Sequence, residues 1–471
     1  MPLSSFLRLE WRHVRRDHAF WLTLALLAAA LVYGLANGFA WVRFQTEAIA
    51  RANTLSAQRL AAAHTDAAKF DAAPPANLNP NLDPRDARGF EFSYLRRFAV
   101  LPPAPAAALA VGQSDLLPSI FRVTYRPRES FLNSYEIEHP LRLLLGRFDA
   151  TFVALYLLPL AVLVIAHGLL AREREGGTLD LLRASPLSLP RWLAVRFALR
   201  GGLFLGAFAL VALGGWLAFG GAPAALPPVA AWLALALAYG VFWFALAWWL
   251  GARAPAASVS ALRLAGAWLA FVIVLPAALN LTLKQFYPLP SRAAFQDELR
   301  EGTDAANQRG SQLLSKYLED HPELAPGPVV ANENDFFRTR FAINAELERL
   351  AAPLRERFAA QLSRQQTVIE RLRWLSPALV LHHESLRLAG TDRARHRDWL
   401  AAVGDLHMRT VDYFEPRLLR SAGFRDFDGV PALAFTEPPR SSTALFLALA
   451  GLLLPAVLLT ALGLRALRAS V

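Results

Sequence analysis

Cysteine is absent from the 471 residues. Its absence excludes disulfides, thiolate metal sites and a cysteine nucleophile, so any domain outside a membrane must be held by packing alone. Lysine is nearly absent too. It occurs only at Lys69, Lys284 and Lys316, so arginine carries almost all of the net charge of +11. No Gly-Lys dipeptide occurs, which removes the phosphate-binding loop of P-loop nucleotide hydrolases. Gly-x-Ser-x-Gly is also missing, and with it the nucleophile elbow of many serine hydrolases. Neither an internal repeat nor a long heptad seam is present.

Apolar residues are plentiful. They make up 55% of the chain, while charged residues reach only 18%, below the usual quarter. Long apolar runs account for this. Six segments are long enough to cross a bilayer as helices, which takes about 20 residues each. They lie at 19–41 (TM1), 150–170 (TM2), 201–219 (TM3), 227–250 (TM4), 264–283 (TM5) and 443–464 (TM6). The first run continues into Trp41-Val-Arg-Phe44 without a small-residue cleavage site, so it reads as a retained anchor.

A basic balance can signal nucleic-acid binding. Here the arginines flank the spans instead. Arg8, Arg12, Arg15 and Arg16 precede the first; Arg172, Arg174, Arg183, Arg191, Arg196 and Arg200 separate the second and third. Arg253 and Arg263 lie between the fourth and fifth, and Arg465 and Arg468 follow the sixth. With six crossings all four groups fall on one side, which makes both termini cytoplasmic. Trp41, Trp216 and Trp232 are expected at the outer interface, and Trp248 and Trp249 at the inner one.

The first eighteen residues form an amphipathic basic helix, with Leu3, Leu7, Trp11 and Val14 on one stripe and Arg8, Arg12 and Arg15 on another. Such a helix lies in the interface or simply anchors the next span. The expected fold class is membrane all-α with six transmembrane helices and two extracytoplasmic insertions. The first, 42–149, is mixed α/β, with prolines from Pro74 to Pro84 and a strand-like Phe121–Tyr125. The second, 284–442, is mainly helical. Its apolar stripe from Phe337 to Leu375 has helical spacing, with Pro353 expected to kink or divide it.

The most informative segment is the connection 171–200. A charged turn, Arg172 to Glu175, is broken by Gly176 and Gly177. Thr178 can then cap a short helix with Leu179, Leu181 and Leu182 on its apolar side. Ser185-Pro186 stops that helix, and Ser188 with Pro190 starts the next. The product is a small helical knob between two membrane helices. It either transmits movement from a partner or is an ordinary interfacial connection.

The pattern Glu-x-Gly-Gly-Thr-Leu-Asp-Leu-Leu-x-x-Ser-Pro-Leu-Ser resembles the coupling-helix region of ABC-2-type transporter permeases. Two further stretches strengthen the likeness. One is Gly112-Gln-Ser-Asp-Leu-Leu-Pro-Ser119, continued by Glu138-His-Pro-Leu141 and Gly146-Arg-Phe-Asp149. The other is Trp374-Leu-Ser-Pro377 followed by Leu388-Ala-Gly-Thr-Asp-Arg-Ala-Arg-His396. Together they look like a bacterial subfamily with a large periplasmic domain of unknown function. The resemblance implies a permease half in the bacterial inner membrane. It would pair with a second half, alike or different, and dock a separate ATPase. This chain would then need no cofactor and be no enzyme, with ATP and Mg²⁺ held by the ATPase. Glu173, Glu175, Gly177, Thr178 and Leu179 match the motif, and Glu175 and Leu182 are the expected docking residues. Two rivals remain: a mechanotransmitter that moves periplasmic domains without transport, and a membrane-anchored binding protein or enzyme. Only His382-His383-Glu384 prompts the last. Adjacent histidines point about 100° apart on a helix and lack the His-Glu-x-x-His spacing of a zinc site. His139, His167 and His396 read as structural or interfacial histidines.

Overall fold

The computed structural model describes residues 3–73, 79–112, 114–128, 147–179, 188–288, 292–322, 336–419, 423–438 and 441–469. Among these, six helices are long and apolar enough to cross a membrane: His18–Ala72, Ala150–Glu175, Leu189–Ala218, Pro223–Ala252, Ala257–Phe286 and Ser442–Arg468. They are called the first to sixth long helices below. The second and fourth are mostly enclosed by the others, whereas the fifth and sixth are mostly exposed. Uniform apolarity rather than a one-sided stripe is what lipid on the outside requires.

The first long helix departs from expectation. It does not stop at 41 but runs unbroken to Ala72, about 82 Å at 1.5 Å per residue. No glycine or proline occurs between Gly38 and Pro74, and the stretch is rich in alanine, the best helix former. Asp17 caps its start by accepting from the Phe20 amide at 3.1 Å. Two glycines let other backbone come close. A Cβ at Gly34 would sit 2.8 Å from the carbonyl carbon of Asp149, and one at Gly38 would run into the carbonyl oxygen of Ala108.

Trp41, Trp216, Trp232 and Trp248 are buried within the protein. For Trp232 the reason is visible: its indole N–H donates to Thr151 Oγ1 at 2.9 Å, and that hydroxyl donates to the Leu109 carbonyl at 3.0 Å.

Beyond the bundle, the two insertions share cores instead of folding separately. Ala63 and Ala67 of the first long helix pack with Phe90, Tyr94, Phe341, Phe414, Phe424 and Phe427. A second cluster joins Phe121 and Val123 to Trp399, Val403 and Leu406. Phe121 stacks on Trp399 with ring centroids 5.5 Å apart. The strand content is small: β1 (Phe98–Val100) pairs antiparallel with β2 (Ile120–Arg122), Ala99 opposite Phe121. Helix Phe336–Leu372 passes through Pro353 undivided.

That helix ends in a turn, Arg373–Leu375, and the chain returns as helix Pro377–Ala389. Ser376 Oγ donates to the carbonyl of Phe271, about 21 Å along the fifth long helix from its start. A Cβ at Gly451 of the sixth would lie 2.5 Å from the Trp374 ring. The turn therefore dips between the middle portions of the fifth and sixth long helices.

Candidate functional site

The connection between the second and third long helices is built on a cluster of charges. The N-terminal helix Leu3–Arg16 buries Phe6, Glu10 and Val14, one residue per turn, and leaves Leu7 and Trp11 exposed beside Arg8, Arg12 and Arg15. The buried stripe faces the third long helix, where Trp192 lies 6.4 Å from the Phe6 ring. Glu10 Oε1 accepts from Arg200 at 2.9 Å and from Arg196 at 3.2 Å. Arg200 also reaches Asp17 at 2.7 Å. Burial pushes the Asp17 carboxyl up, but Arg200 and the Phe20 amide outweigh it and hold it below its ordinary value.

The network continues into the connection. Arg196 pairs with Glu173 at 2.8 Å and lies over the Trp192 ring at 4.7 Å. Glu10 and Arg200 are almost wholly buried. A buried charge survives only with good partners, because desolvation alone costs several kcal/mol. Here each charged group has at least one partner, and Arg196, shared by Glu10 and Glu173, ties three segments together.

The next two residues fasten the connection to the loop between the fourth and fifth long helices. Arg174 donates to the carbonyls of Ala252 and Ala254. Glu175 Oε1 accepts from the Ala257 amide at 3.0 Å. A cation thus meets a helix C-terminus and an anion meets a helix N-terminus, the favourable sense of both helix dipoles. Gly177 has φ +67°, and a Cβ there would meet nothing within 4 Å. Its requirement is the left-handed backbone rather than space.

The residues singled out from sequence therefore fall into different roles. Glu173 is half-buried and paired. Glu175 is exposed, with one oxygen engaged as a cap. Gly177 and Thr178 are exposed. The Thr178 hydroxyl turns back to the Glu173 carboxylate and carbonyl. Leu179 is buried in the bundle core, so it anchors the connection rather than facing outward. Leu182 lies outside the described residues. Ser188 starts the next helix without a side-chain cap, with Pro190 in its first turn. Sequence reasoning missed Glu10. Its signal was present: the only acid of the N-terminal helix stands one turn from Phe6 and one turn from Val14.

The histidine prompts resolve into structure. Glu384 is fully buried and pairs with Arg387. Among the described residues no group of three histidine or acidic side chains is arranged to hold a metal. His396 donates through Nε2 to the Pro118 carbonyl at 2.9 Å, and His167 Nδ1 donates within its own helix. His139 lies outside the described residues.

The family-like stretches meet around Asp149. Its carboxylate accepts from the Phe152 amide at 2.7 Å, which caps the second long helix, and from the amides of Val111 at 2.8 Å and Gly112 at 3.2 Å. Thr391 donates to the neighbouring Ala110 carbonyl. These stretches build a joint between the bundle and the two insertions.

Comparison with known proteins fits this architecture. Six bilayer-length helices define a multi-pass membrane protein. The chain is 34% identical over 142 residues to the probable ABC transporter permease protein NosY of Pseudomonas aeruginosa, covering 27% of this chain and 49% of the relative. It thus spans about half the length of the curated relative it matches and is a distant relative of an ABC transporter permease. A family model described as "Domain of unknown function (DUF3526)" matches residues 292–436, between the fifth and sixth long helices.

Proposed function

We propose that this chain is the transmembrane permease subunit of an ABC-2-type transporter. In this reading it sits in a bacterial inner membrane with both termini cytoplasmic and both insertions on the outer side. It pairs with a second permease half and docks a separate ATPase that holds ATP and Mg²⁺. The chain itself performs no chemistry; movement of the 171–188 connection drives alternating exposure of a substrate.

One observation carries the reading. The connection is fixed at its base to the third, fourth and fifth long helices through Glu173, Arg174 and Glu175, and through Arg196 to Glu10 of the N-terminal helix, while Gly176, Gly177 and Thr178 stay exposed. A push on that turn reaches four helices at once. The relation to a permease supports the same reading.

The test is a mild-detergent pull-down with mass spectrometry. Wild-type protein should bring down a P-loop ATPase. Glu175→Gln combined with Leu182→Asp should lose it while keeping the wild-type melting midpoint, because glutamine still accepts from the Ala257 amide. Undiminished ATPase binding by the variant, or none by wild type under conditions that preserve such complexes, would defeat the reading.

The 55-residue first helix favours a second reading, mechanotransmission without transport. It runs from the Asp17–Arg200 pair to Ala63 and Ala67 in the outer core. A continuous cavity between the spans of the assembled dimer would count against it.

A further inference from the structure

An apolar groove of about 450 Å³ opens between the fourth, fifth and sixth long helices. Phe242, Trp249, Phe271, Pro455 and Leu459 line it, and its one charged lining residue is Arg263. Its volume falls in the range of about 300–1,000 Å³ typical of small-ligand clefts. Arg263 is exposed and donates to the Arg253 carbonyl at 3.3 Å. Among the described residues no carboxylate pairs with either arginine. The Arg253 guanidinium lies 6.0 Å from the Trp249 ring. Gly463 packs against Trp248 and Trp249, so Arg465 and Arg468 belong to the same end of the bundle.

We infer that this groove holds an acyl chain of an anionic phospholipid, with the lipid phosphate at Arg263 and Arg253. The groove supplies a dry wall for a chain, and its cationic end supplies what a phosphate needs. Guanidinium binds phosphate through paired N–H donors, and each arginine near a membrane surface favours anionic lipid. Charge complementarity selects lipid over a second copy of this chain. A two-fold contact through the same face would bring a second set of arginines against the first. The inference rests on the chain being embedded in a membrane and not on the transport reading.

Native mass spectrometry of the full chain tests it, with equimolar phosphatidylglycerol and phosphatidylcholine of identical chains. Wild type should retain phosphatidylglycerol by about thirtyfold over phosphatidylcholine, as two engaged arginines predict. Arg263→Gln should cut that preference to about fivefold, and Arg263→Lys, which keeps the charge, should preserve most of it. Ala267→Trp, which fills the groove, should lower retention of both. Equal retention by wild type overturns the inference. So does a preference left undiminished by both Arg263→Gln and Ala267→Trp, which would mark a general lipid shell. A Leu458→Cys variant in native membranes gives an independent readout, since the chain has no other cysteine. A disulfide-linked dimer through that position would make the groove an interface between copies instead.

Discussion

The two ends of the helix bundle are held by opposite kinds of contact. At the arginine-rich end, Glu10, Asp17, Glu173 and Glu175 meet Arg196, Arg200 and backbone amides across four segments. At the other end, Gly34 and Gly38 admit the backbone of Asp149 and Ala108, and Asp149 gathers three amides. Ion pairs tolerate small changes of length and can exchange partners. A carbonyl seated where a Cβ would be has no such latitude. The charged end is therefore held by side chains that can re-pair, and the glycine end by backbone that cannot.

Three substitutions probe that contrast. The largest effect is expected at the rigid end. Gly38→Leu would drive a branched side chain into the Ala108 carbonyl and cost more than about 3 kcal/mol; size-exclusion of the solubilised protein should show no folded species. A well-folded variant would mean that the close approach is not obligatory. Next is Glu10→Ala, which strips Arg200 of one partner and leaves a buried guanidinium under-compensated. The cost should be about 3 kcal/mol, read as a lowered melting midpoint, and Glu10→Gln should recover part of it. If Glu10→Ala melts like wild type, the network is ornamental.

The smallest of the three is a pH effect at the rigid end. Burial pushes the Asp149 carboxyl up from its ordinary 3.8 to about 6, despite the amides of Phe152, Gly112 and Val111. The folded state then keeps its proton where the unfolded state loses it. This contribution to stability is complete below about pH 4 and disappears as pH rises to about 6, a loss on the order of 2–3 kcal/mol. Asp149→Asn cannot titrate, and its amide would oppose the Val111 and Gly112 donors. It should start less stable, with the gap to wild type narrowing between pH 4 and pH 6. Parallel melting curves would refute the assignment.

The spans were legible because lipid leaves few alternatives to uninterrupted apolar helices. The predicted 227–250 and 443–464 lie inside Pro223–Ala252 and Ser442–Arg468. The extension of the first helix is invisible to apolarity, because residues 43–72 are largely polar or alanine. The informative signal there was the absence of helix breakers. In the connection, spacing marked Glu173, Glu175 and Gly177 as special but not what they touch. Glu175 finds its partner 82 positions away, and no local pattern encodes that distance. Glu10 was overlooked because a single acid among arginines reads as a surface pair. The joining of the two insertions depends on phenylalanines far apart in sequence, Phe90 and Phe414 among them, which no periodicity connects.

The turn at Arg373–Leu375 has a consequence for how the chain is made. Its flanks are arginine-rich and its apolar run is short, so membrane-insertion machinery would not register it as a span. Yet its exposed backbone needs protein rather than lipid around it, and Ser376 finds that protein at Phe271. The seat of the turn is therefore made by the fifth and sixth long helices together, and neither helix alone would supply it.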